Sequence, residues 1–231
     1  MAQVKTKAEI KKVAMACRIT DQIFAKILKN FYFKTENELK GFILTEIKRR
    51  GLKPSFPPIV TSGPRAGNEI HPQSTSARLR GFTIIDFGVI YEKYMSDMTR
   101  TIFIGKPNIK QKAIYKKLLH SQVSATKKIK AGVKPWVLDA HAREILGKDA
   151  KYFIHMLGHG VGTKIHENPK IYHKLTKPTL KTGMIITIEP GLYVKNRFGI
   201  RIEDTILVTE KGPKILTKSP KELIWIKPQS T

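Results

Sequence analysis

Two segments of the chain have the pattern of a β-hairpin whose apolar strands carry acidic residues. They are GFTIIDFGVIYEKYMSDMTRTIFIG, residues 81–105, and GMIITIEPGLYVKNRFGIRIEDTILVTEKG, residues 183–212. An acid between apolar neighbours is costly to bury unless a counter-charge accompanies it. A chain with two such hairpins must supply both with something cationic, and this requirement restricts the fold more than any other feature of the sequence.

In the first hairpin, the position of the turn decides which residues face each other. A turn centred between Tyr91 and Glu92 places Asp86 directly opposite Asp97, with Cβ atoms about 4.5–5.5 Å apart. Like charges in that arrangement destabilise a sheet. The pattern therefore predicts a facing pair of acids that needs a cation.

The second hairpin repeats the arrangement, since a turn centred at Asn196 sets Glu189 opposite Glu203. Four converging carboxylates match two divalent cations about 3.5–4 Å apart, with one histidine as a further ligand. A lysine or arginine counter-charge is the alternative. Any one of these acids taken alone is more often an edge charge than a ligand.

The segment HMLGHGVGTKIHENP, residues 155–169, offers the histidine. Glycines on both sides of His159 allow the backbone to approach the site closely, which favours His159 over His155 and His166 as the ligand. A lone histidine among apolar residues, such as His155, is usually a core residue whose hydrogen bonds are satisfied.

The order of elements predicts two similar units and an α+β fold. Each unit has two helices, a short strand, a loop and a hairpin. We predict a single domain over residues 1–231, pseudo-symmetric, with sheets that meet and helices on their outer faces. Helices are predicted at residues 8–31, 109–131 and 135–146. A further helix begins at the capping box of Thr35 and Glu38 and ends after Arg50. Residues 55–63 are predicted to be extended, and residues 152–157 are predicted to form a strand.

Composition indicates a globular protein, since 41% of the 231 residues are hydrophobic. The sequence has no apolar stretch of 18 residues and no signal-peptide pattern, so we expect a soluble, cytoplasmic protein without membrane contact. The single cysteine, Cys17, lies on the apolar stripe of the first helix. A buried structural thiol is favoured there over a nucleophile.

The formal net charge of +25 makes nucleic acid a partner to consider. The basic residues are scattered, however, and form no polybasic arm. A solvated lysine surface is therefore favoured, with weak, nonspecific nucleic-acid binding through the basic surface as its largest expected consequence.

Four motifs, DFG…SDMTRT, GHGVG…HENP, TIEPG and RIEDT, resemble in order and separation the metal-dependent peptidases of the pita-bread fold. This group contains methionine aminopeptidases, Xaa-Pro aminopeptidases and prolidases. The similarity extends from about Glu9 to Ile226. It implies a curved antiparallel sheet with helices on the outer face.

The resemblance also implies the ligands of two divalent metal ions. Asp86 would chelate one metal with both oxygens, and Asp97 and Glu203 would bridge the two. His159 and Glu189 would complete one metal's coordination. All five are present in this sequence, and their chemistry accepts Mn²⁺, Co²⁺, Fe²⁺ or Zn²⁺, of which Mn²⁺ or Co²⁺ is favoured.

Further catalytic residues follow from the same resemblance. His71 and His166 match histidines near the substrate, where either can donate to the carbonyl oxygen as it becomes an oxyanion. Glu189 is the expected proton shuttle from a metal-bridging hydroxide to the leaving amine. His155 and Arg201 point to the proline-peptidase branch, and Arg201 is expected to orient Glu203 or to be a surface arginine.

The expected function is therefore metal-dependent hydrolysis of the amino-terminal Xaa-Pro bond of dipeptides or short peptides. Methionine aminopeptidase is the alternative within enzymes. A non-catalytic pita-bread module that binds nucleic acid or another partner is the alternative of a different class. Prolidases carry an amino-terminal domain that we do not expect here. Without it, the sequence does not decide between a dipeptidase and an aminopeptidase, or between a monomer and a homodimer.

Overall fold

The first half of the chain begins with two helices whose ends follow from their sequence. The computed structural model describes residues 4–29, 31–175 and 178–228. Helix α1 spans Lys7–Lys29 and α2 spans Glu36–Lys48. The Thr35 hydroxyl accepts the Glu38 N–H and the Glu38 carboxylate accepts the Thr35 N–H, so the predicted capping box does begin α2.

Six strands follow in the first half, three in a main sheet and three in a small one. They are β1 (Lys53–Pro54), β2 (Ile59–Ser62), β3 (Gly81–Phe87), β4 (Val89–Tyr91), β5 (Tyr94–Met95) and β6 (Met98–Ile104), with a 3₁₀ helix at Gly63–Gly67. The predicted extended segment therefore contains β2. Pro57 and Pro58 precede that strand, because proline cannot donate to a ladder.

The second half has two helices, a 3₁₀ helix at Gly147–Tyr152 and eight strands. They are α3 (Ile109–Lys127), α4 (Pro135–Leu146), β7 (Gly158–Gly160), β8 (Glu167–Ile171), β9 (Ile185–Ile188), β10 (Gly191–Val194), β11 (Phe198–Arg201), β12 (Asp204–Thr209), β13 (Gly212–Ile215) and β14 (Trp225–Ile226). Asn108 caps α3 as predicted, but α3 ends at Lys127, four residues before the predicted end.

The strands form two main sheets, one for each half of the chain. The first has the order β14-β6-β3-β2 and the second β13-β12-β9-β7-β8. Two small sheets, β1-β4-β5 and β10-β11, extend the hairpins. Strand β14 comes from the end of the chain and pairs in parallel with β6, so the carboxyl-terminal segment closes the sheet of the first half.

Each pair of helices packs on its own sheet. Residues such as Phe24 and Ile43 from α1 and α2 share a core with Ile85 of β3. Residues such as Leu118 and Leu138 from α3 and α4 share another core with strands of the second half. The predicted pseudo-symmetric α+β arrangement, with helices covering the sheets, is confirmed.

The register of the first hairpin differs from the prediction. Asp86 pairs with Thr99, not with Asp97, because the turn lies at Glu92 and Lys93, one residue later than expected. Both turn residues have positive φ, 46° and 74°, a conformation that asparagine and glycine normally supply. Asp97 consequently faces the same side as Asp86 but is displaced diagonally by two residues.

The second hairpin has the predicted register. The turn is centred at Asn196, whose φ is 56°, and Gly191 pairs with Arg201. Further along, Ile188 pairs with Asp204 in the same register. Glu189 and Glu203 therefore lie opposite each other at the gap between the β10–β11 ladder and the β9–β12 ladder.

The predicted strand at residues 152–157 is wrong. The backbone there leaves the 3₁₀ helix in an irregular course, and the side chain of Ile154 is 61% exposed. The carbonyls of Phe153 and His155 accept hydrogen bonds from the Arg143 guanidinium, at 2.7 and 2.6 Å, instead of joining a ladder. Arg143 of α4 thus supplies hydrogen bonds to backbone carbonyls that would otherwise need a neighbouring strand.

Cys17 is buried in α1, as predicted, and burial raises the pKa of its thiol well above the usual value. A neutral, buried thiol is a poor nucleophile, so the structural interpretation is confirmed. In the described part of the chain, every helix is too short or too polar to cross a membrane.

Candidate metal centre

Five side chains from five separate places in the chain converge on one cavity of about 290 Å³. Asp86 is on β3, and Asp97 lies between β5 and β6. His159 is in the middle of β7, Glu189 directly follows β9, and Glu203 lies between β11 and β12. These are the five ligands proposed from the sequence, and the fold brings all of them together.

His159 lies at the centre of the acidic group. Its Nε2 atom is 3.2 Å from Oε1 of Glu189 and 3.6 Å from Oδ2 of Asp97. One oxygen each of Asp97 and Glu203 and one ring nitrogen of His159 all lie within 4.8 Å of one another. Such a spacing suits a shared divalent cation.

The backbone around His159 orients the ring. Nδ1 donates to the Gly160 carbonyl at 3.1 Å, which directs Nε2 toward the acids. A Cβ at Gly158 would lie 2.0 Å from the Thr187 carbonyl oxygen, and one at Gly160 would lie 2.4 Å from that of Asn168. The two glycines are therefore needed for close approach of β7 to neighbouring strands, and this approach fixes the position of His159.

Each half of the molecule supplies hydrogen-bond donors to an acid of the other half. The Arg201 Nη2 atom of the second half donates to Oδ2 of Asp86 at 2.7 Å. The Thr99 hydroxyl of the first half donates to Oε2 of Glu203 at 2.8 Å and accepts from Arg201 Nε at 3.0 Å. These three bonds lock the two hairpins against each other at the site.

The donors leave two buried oxygens without a partner. Among the residues that the structure describes, Oδ1 of Asp86 and Oε1 of Glu203 are buried and have no hydrogen bond. An unpaired buried carboxylate oxygen is costly, and few native proteins retain one without a reason. Bound divalent cations would satisfy these oxygens, so the residues present fit a metal centre.

The pKa values also show that the acids lack sufficient counter-charge. Burial raises the pKa of Asp97 and of Glu203 well above the usual range, and the charges of neighbouring acids raise both further. Burial acts in the same direction on Glu189, but the hydrogen bond and charge of His159 lower its pKa to about 2. Divalent cations would supply the missing positive charge.

Two further histidines line the same cavity. The rings of His166 and His159 lie edge to face, with centroids 4.3 Å apart, and His71 lies in the wall formed by residues after β2. Burial lowers the pKa of both His71 and His166, and the positive charges around them act in the same direction. Both are consequently neutral imidazoles near neutral pH, with an N–H to donate.

His155 and Arg201 lie behind the cavity wall. Tyr193 connects them, because its hydroxyl accepts from Arg201 Nη1 at 2.6 Å and shares a 3.1 Å hydrogen bond with His155 Nε2. His155 Nδ1 bonds the Met156 carbonyl at 2.7 Å. The four side chains form one relay, His155 to Tyr193 to Arg201 to Asp86. Arg201 therefore contacts Asp86 and not Glu203, the acid that it was expected to orient.

A family model, Metallopeptidase family M24, matches residues 11–210. This chain belongs to that family. The M24 match covers all five residues of the candidate metal centre. It also agrees with the resemblance of the four sequence motifs to those of pita-bread peptidases.

Several M24 relatives are similar over nearly the whole chain. An Xaa-Pro dipeptidase of Pyrococcus furiosus is 43% identical over 227 residues, and one of Pyrococcus horikoshii is 41% identical over 230. The matches cover 96% and 97% of this chain and 65% of each relative, so the chain spans about 65% of the length of these curated relatives.

Solved structures agree with this similarity. The crystal structure of a prolidase from Pyrococcus horikoshii matches with a TM-score of 0.90 at 40% identity, covering 96% of this chain and 65% of that chain. An X-Pro aminopeptidase from Thermotoga maritima matches with a TM-score of 0.91 at 34% identity, covering 98% and 65%. The expected pita-bread fold is confirmed.

Three hydroxyl groups at the candidate metal centre were not predicted from the sequence. Thr99, Thr187 and Tyr193 each contact a metal-site acid, a histidine or Arg201. Thr99 and Thr187 do carry a signal, since each lies two residues from an acid on the same face of its strand. Tyr193 carries no such signal, because its contacts depend on how β10 packs against the segment that contains His155.

Proposed function

We propose that this chain hydrolyses the bond between an amino-terminal residue and proline in Xaa-Pro dipeptides. The observation that carries the proposal is the convergence of five potential ligands, two of them with unpaired buried oxygens, on a cavity that also contains two neutral histidines. The Xaa-Pro dipeptidases at 43% and 41% identity support the same reaction.

In this proposal Asp86, Asp97, His159, Glu189 and Glu203 hold two divalent ions. Carboxylate ligands with a single imidazole suit Mn²⁺ or Co²⁺, which we propose as the working ions. When bound, such ions lower the pKa of water and polarise the scissile carbonyl. The unpaired Oδ1 of Asp86 supports its assignment as a ligand.

Glu189 is the residue that we assign to proton transfer. Its side chain is 15% exposed, more than that of Asp97 or His159, and it lines the cavity. The Thr187 hydroxyl lies 3.3 Å from Oε1 and fixes the carboxylate. A carboxylate held in this way at the cavity surface can accept a proton from water and deliver it to the amine that leaves.

His166 and His71 are assigned to the substrate carbonyl. A neutral imidazole donates a hydrogen bond to an oxygen that becomes negative in the transition state, and the gain is largest where water is excluded. His155 and Arg201 act indirectly, because their relay through Tyr193 holds Asp86 from behind the cavity wall. They are positioning residues in this account.

The cavity wall supports proline as the residue after the scissile bond. Phe56, Pro57, Pro58 and Ile59 line one side of the cavity, and Ile59 pairs across the ladder with Asp86. An apolar wall directly beside a metal ligand accommodates a pyrrolidine ring without burying unpaired polar groups. A methionine aminopeptidase is not favoured, since the named relatives with 41–43% identity act on Xaa-Pro substrates.

An assay of three substrates with each metal tests the proposal. Ala-Pro, Ala-Pro-Ala and Met-Ala-Ser are supplied to the protein loaded with Mn²⁺, Co²⁺ or Zn²⁺, and the released amino acids are measured. We expect cleavage of Ala-Pro with Mn²⁺ or Co²⁺. Cleavage of Ala-Pro-Ala alone would assign an Xaa-Pro aminopeptidase, and cleavage of Met-Ala-Ser alone would contradict the proposal. No cleavage of any of them would favour a binding module.

A further inference from the structure

A lysine from the segment before α1 holds the turn that carries His166, residues 162–167. Lys5 Nζ donates to Oε2 of Glu167 at 2.8 Å, and Glu167 directly follows His166 in the chain. The side chains of Lys5 and Glu167 are only 1% and 9% exposed. Removal of one partner from a pair so well shielded from water leaves the other charge buried and unpaired.

The Glu167 carboxylate closes this turn from within. Its second oxygen, Oε1, accepts the Lys164 N–H at 3.1 Å and lies 3.5 Å from the Thr163 hydroxyl. A Cβ at Gly162 would lie 2.5 Å from the same oxygen, so the carboxylate occupies the space that Gly162 leaves open. One carboxylate therefore links the beginning of the turn to its end, and the position of His166 depends on it.

Lys5 reaches this carboxylate from a fixed backbone. Its N–H donates to the Gly183 carbonyl at 2.9 Å, and the Gly183 N–H donates to the Val208 carbonyl of β12 at 3.0 Å. A Cβ at Gly183 would lie 2.9 Å from Cγ1 of Val4, so the segment before α1 lies closely against this part of the chain. Main-chain bonds to the second half of the molecule therefore determine where the ammonium group lies.

The sheet holds the turn independently of Lys5 at two other points. The Met95 N–H of β5 donates to the Gly162 carbonyl at 2.8 Å, and Glu167 pairs through its backbone with Gly160 of β7. Loss of the Lys5 contact should consequently loosen the residues between these points without undoing the sheet. His166 is one of those residues.

We propose that Lys5 is a positioning residue for His166 and that it acts through the Glu167 carboxylate. The inference rests on the proposed hydrolysis, in which His166 donates to the substrate carbonyl. Such a donor has to lie within about 0.5 Å of its productive position. Once the carboxylate is released, the turn adopts positions from which the imidazole N–H does not meet the carbonyl oxygen. His159 keeps its own hydrogen bonds to Thr187 and Gly160, so metal binding persists.

The kinetic test determines whether the effect of Lys5 depends on His166. For Lys5→Met we expect kcat for Ala-Pro to fall about 10-fold at unchanged metal content. In the His166→Ala background the same substitution should change kcat less than about 2-fold, because the group that Lys5 positions is gone. Lys5→Arg should recover most of the loss. Glu167→Gln removes the other charge of the pair and should show the same dependence on His166.

Glu46→Gln is the control for a general loss of stability. Glu46 is a buried acid on α2 that pairs with Lys26 and Arg50, and it is not among the cavity's lining residues. Its substitution should lower the midpoint of thermal unfolding and leave kcat unchanged. Three results would each overturn the proposal: no fall of kcat in Lys5→Met, the same fall with and without His166, or an equal fall in Glu46→Gln.

A measurement that needs no hydrolysis separates this inference from the proposed reaction. The ring nitrogens of His166 and His71 are followed by ¹⁵N NMR in the Zn²⁺-loaded protein, and His166→Ala assigns the signals. We expect Lys5→Met to shift or broaden the His166 signals and to leave those of His71 unchanged. Identical His166 signals in the two proteins would contradict the role of Lys5, whether or not Ala-Pro is cleaved.

Discussion

Two buried aspartates each pair with an arginine from the other half of the molecule, but their surroundings differ. Asp204 lies 2.8 Å from Arg100, and Asp86 lies 2.7 Å from Arg201. Both of the Asp204 oxygens are occupied by further donors, whereas one Asp86 oxygen has none among the described residues. The further donors to Asp204 are Gln122, Thr217 and Lys221.

The difference separates an acid with a structural role, Asp204, from the proposed metal ligand, Asp86. Burial raises the pKa of both carboxyl groups. Arg100 and Lys221 lower that of Asp204 below its usual value, whereas Arg201 and His71 do not offset burial at Asp86, whose pKa stays raised. Both oxygens of Asp204 are already hydrogen-bonded, so neither is free to bind a metal. An acid with a buried, unpaired oxygen is incomplete until a cation binds.

Asp86→Asn should produce the largest effect on activity. The amide keeps an oxygen for Arg201 but loses the charge and one of the two oxygen ligands, so we expect kcat/KM for Ala-Pro to fall at least about 10³-fold. The folded structure should survive, because removing a charge from a cluster of buried acids relieves repulsion. Metal content, kcat/KM and thermal unfolding are measured together. Retained activity with normal metal content would show that Asp86 is not a ligand.

Asp204→Asn should reduce the stability of the fold and leave metal binding intact. Arg100 and Lys221 lose their buried counter-charge, and we expect the free energy of unfolding in urea to fall by about 3 kcal/mol. Because the folded pKa is lowered, the contribution of Asp204 to stability is fully present above the unfolded pKa and is lost as the pH falls through the folded pKa. The folded fraction should still bind metal.

Two variants calibrate this result. Asp149→Asn, which breaks a partly exposed ion pair with Lys117, should cost less than about 1 kcal/mol. Thr217→Val removes one donor to Asp204 and should cost about 1 kcal/mol. A loss for Asp204→Asn no larger than for Asp149→Asn would contradict the structural assignment.

The same distinction applies to two histidines. Both ring nitrogens of His155 are hydrogen-bonded behind the wall, whereas His166 lines the cavity. His166→Ala should lower kcat about 10²-fold at unchanged metal content, the scale of a lost oxyanion donor. Parallel measurement of His155→Ala should show a change in metal affinity instead. Unchanged turnover would remove His166 from the mechanism.

Thr99→Val should give the smallest effect. The hydroxyl links Glu203 to Arg201 and so connects the two halves at the site. Its loss should weaken metal binding about 10-fold, as expected for a group that orients a ligand. Thr61→Val is the matched control, because the Thr61 hydroxyl is buried on the neighbouring β2 strand without a partner in the described structure. Equal effects of the two variants would assign Thr99 to packing alone.

The sequence predicted the second hairpin better than the first for a physical reason. Asn196 tolerates positive φ and identifies its turn, whereas Glu92 and Lys93 adopt positive φ without being residues that favour it. The turn was therefore placed one residue early, and Asp97 was paired with Asp86. The face of the strand was nevertheless correct, because a shift of two residues preserves the side on which a side chain lies.

Contacts between the two halves of the molecule could not be predicted from the sequence. Arg201 was expected to orient Glu203, its near neighbour in the chain, but its guanidinium reaches Asp86 in the other hairpin. No periodicity reports such a contact, since it depends on how the two sheets meet. The irregular segment after α4 was missed for a similar reason, because Arg143 satisfies its carbonyls from a neighbouring element.

The most direct test of this account is the number of divalent ions that the protein binds. Chelator-treated protein is titrated with Mn²⁺ by calorimetry, and hydrolysis of Ala-Pro is followed at each ratio. The account predicts two ions bound per chain, no hydrolysis in the chelated protein, and recovery as the sites fill; Glu203→Ala should lose most of the bound metal. Full hydrolysis in excess chelator, or no Mn²⁺ bound by the unsubstituted chain, would contradict the assignment of the four acids and His159 as a metal centre.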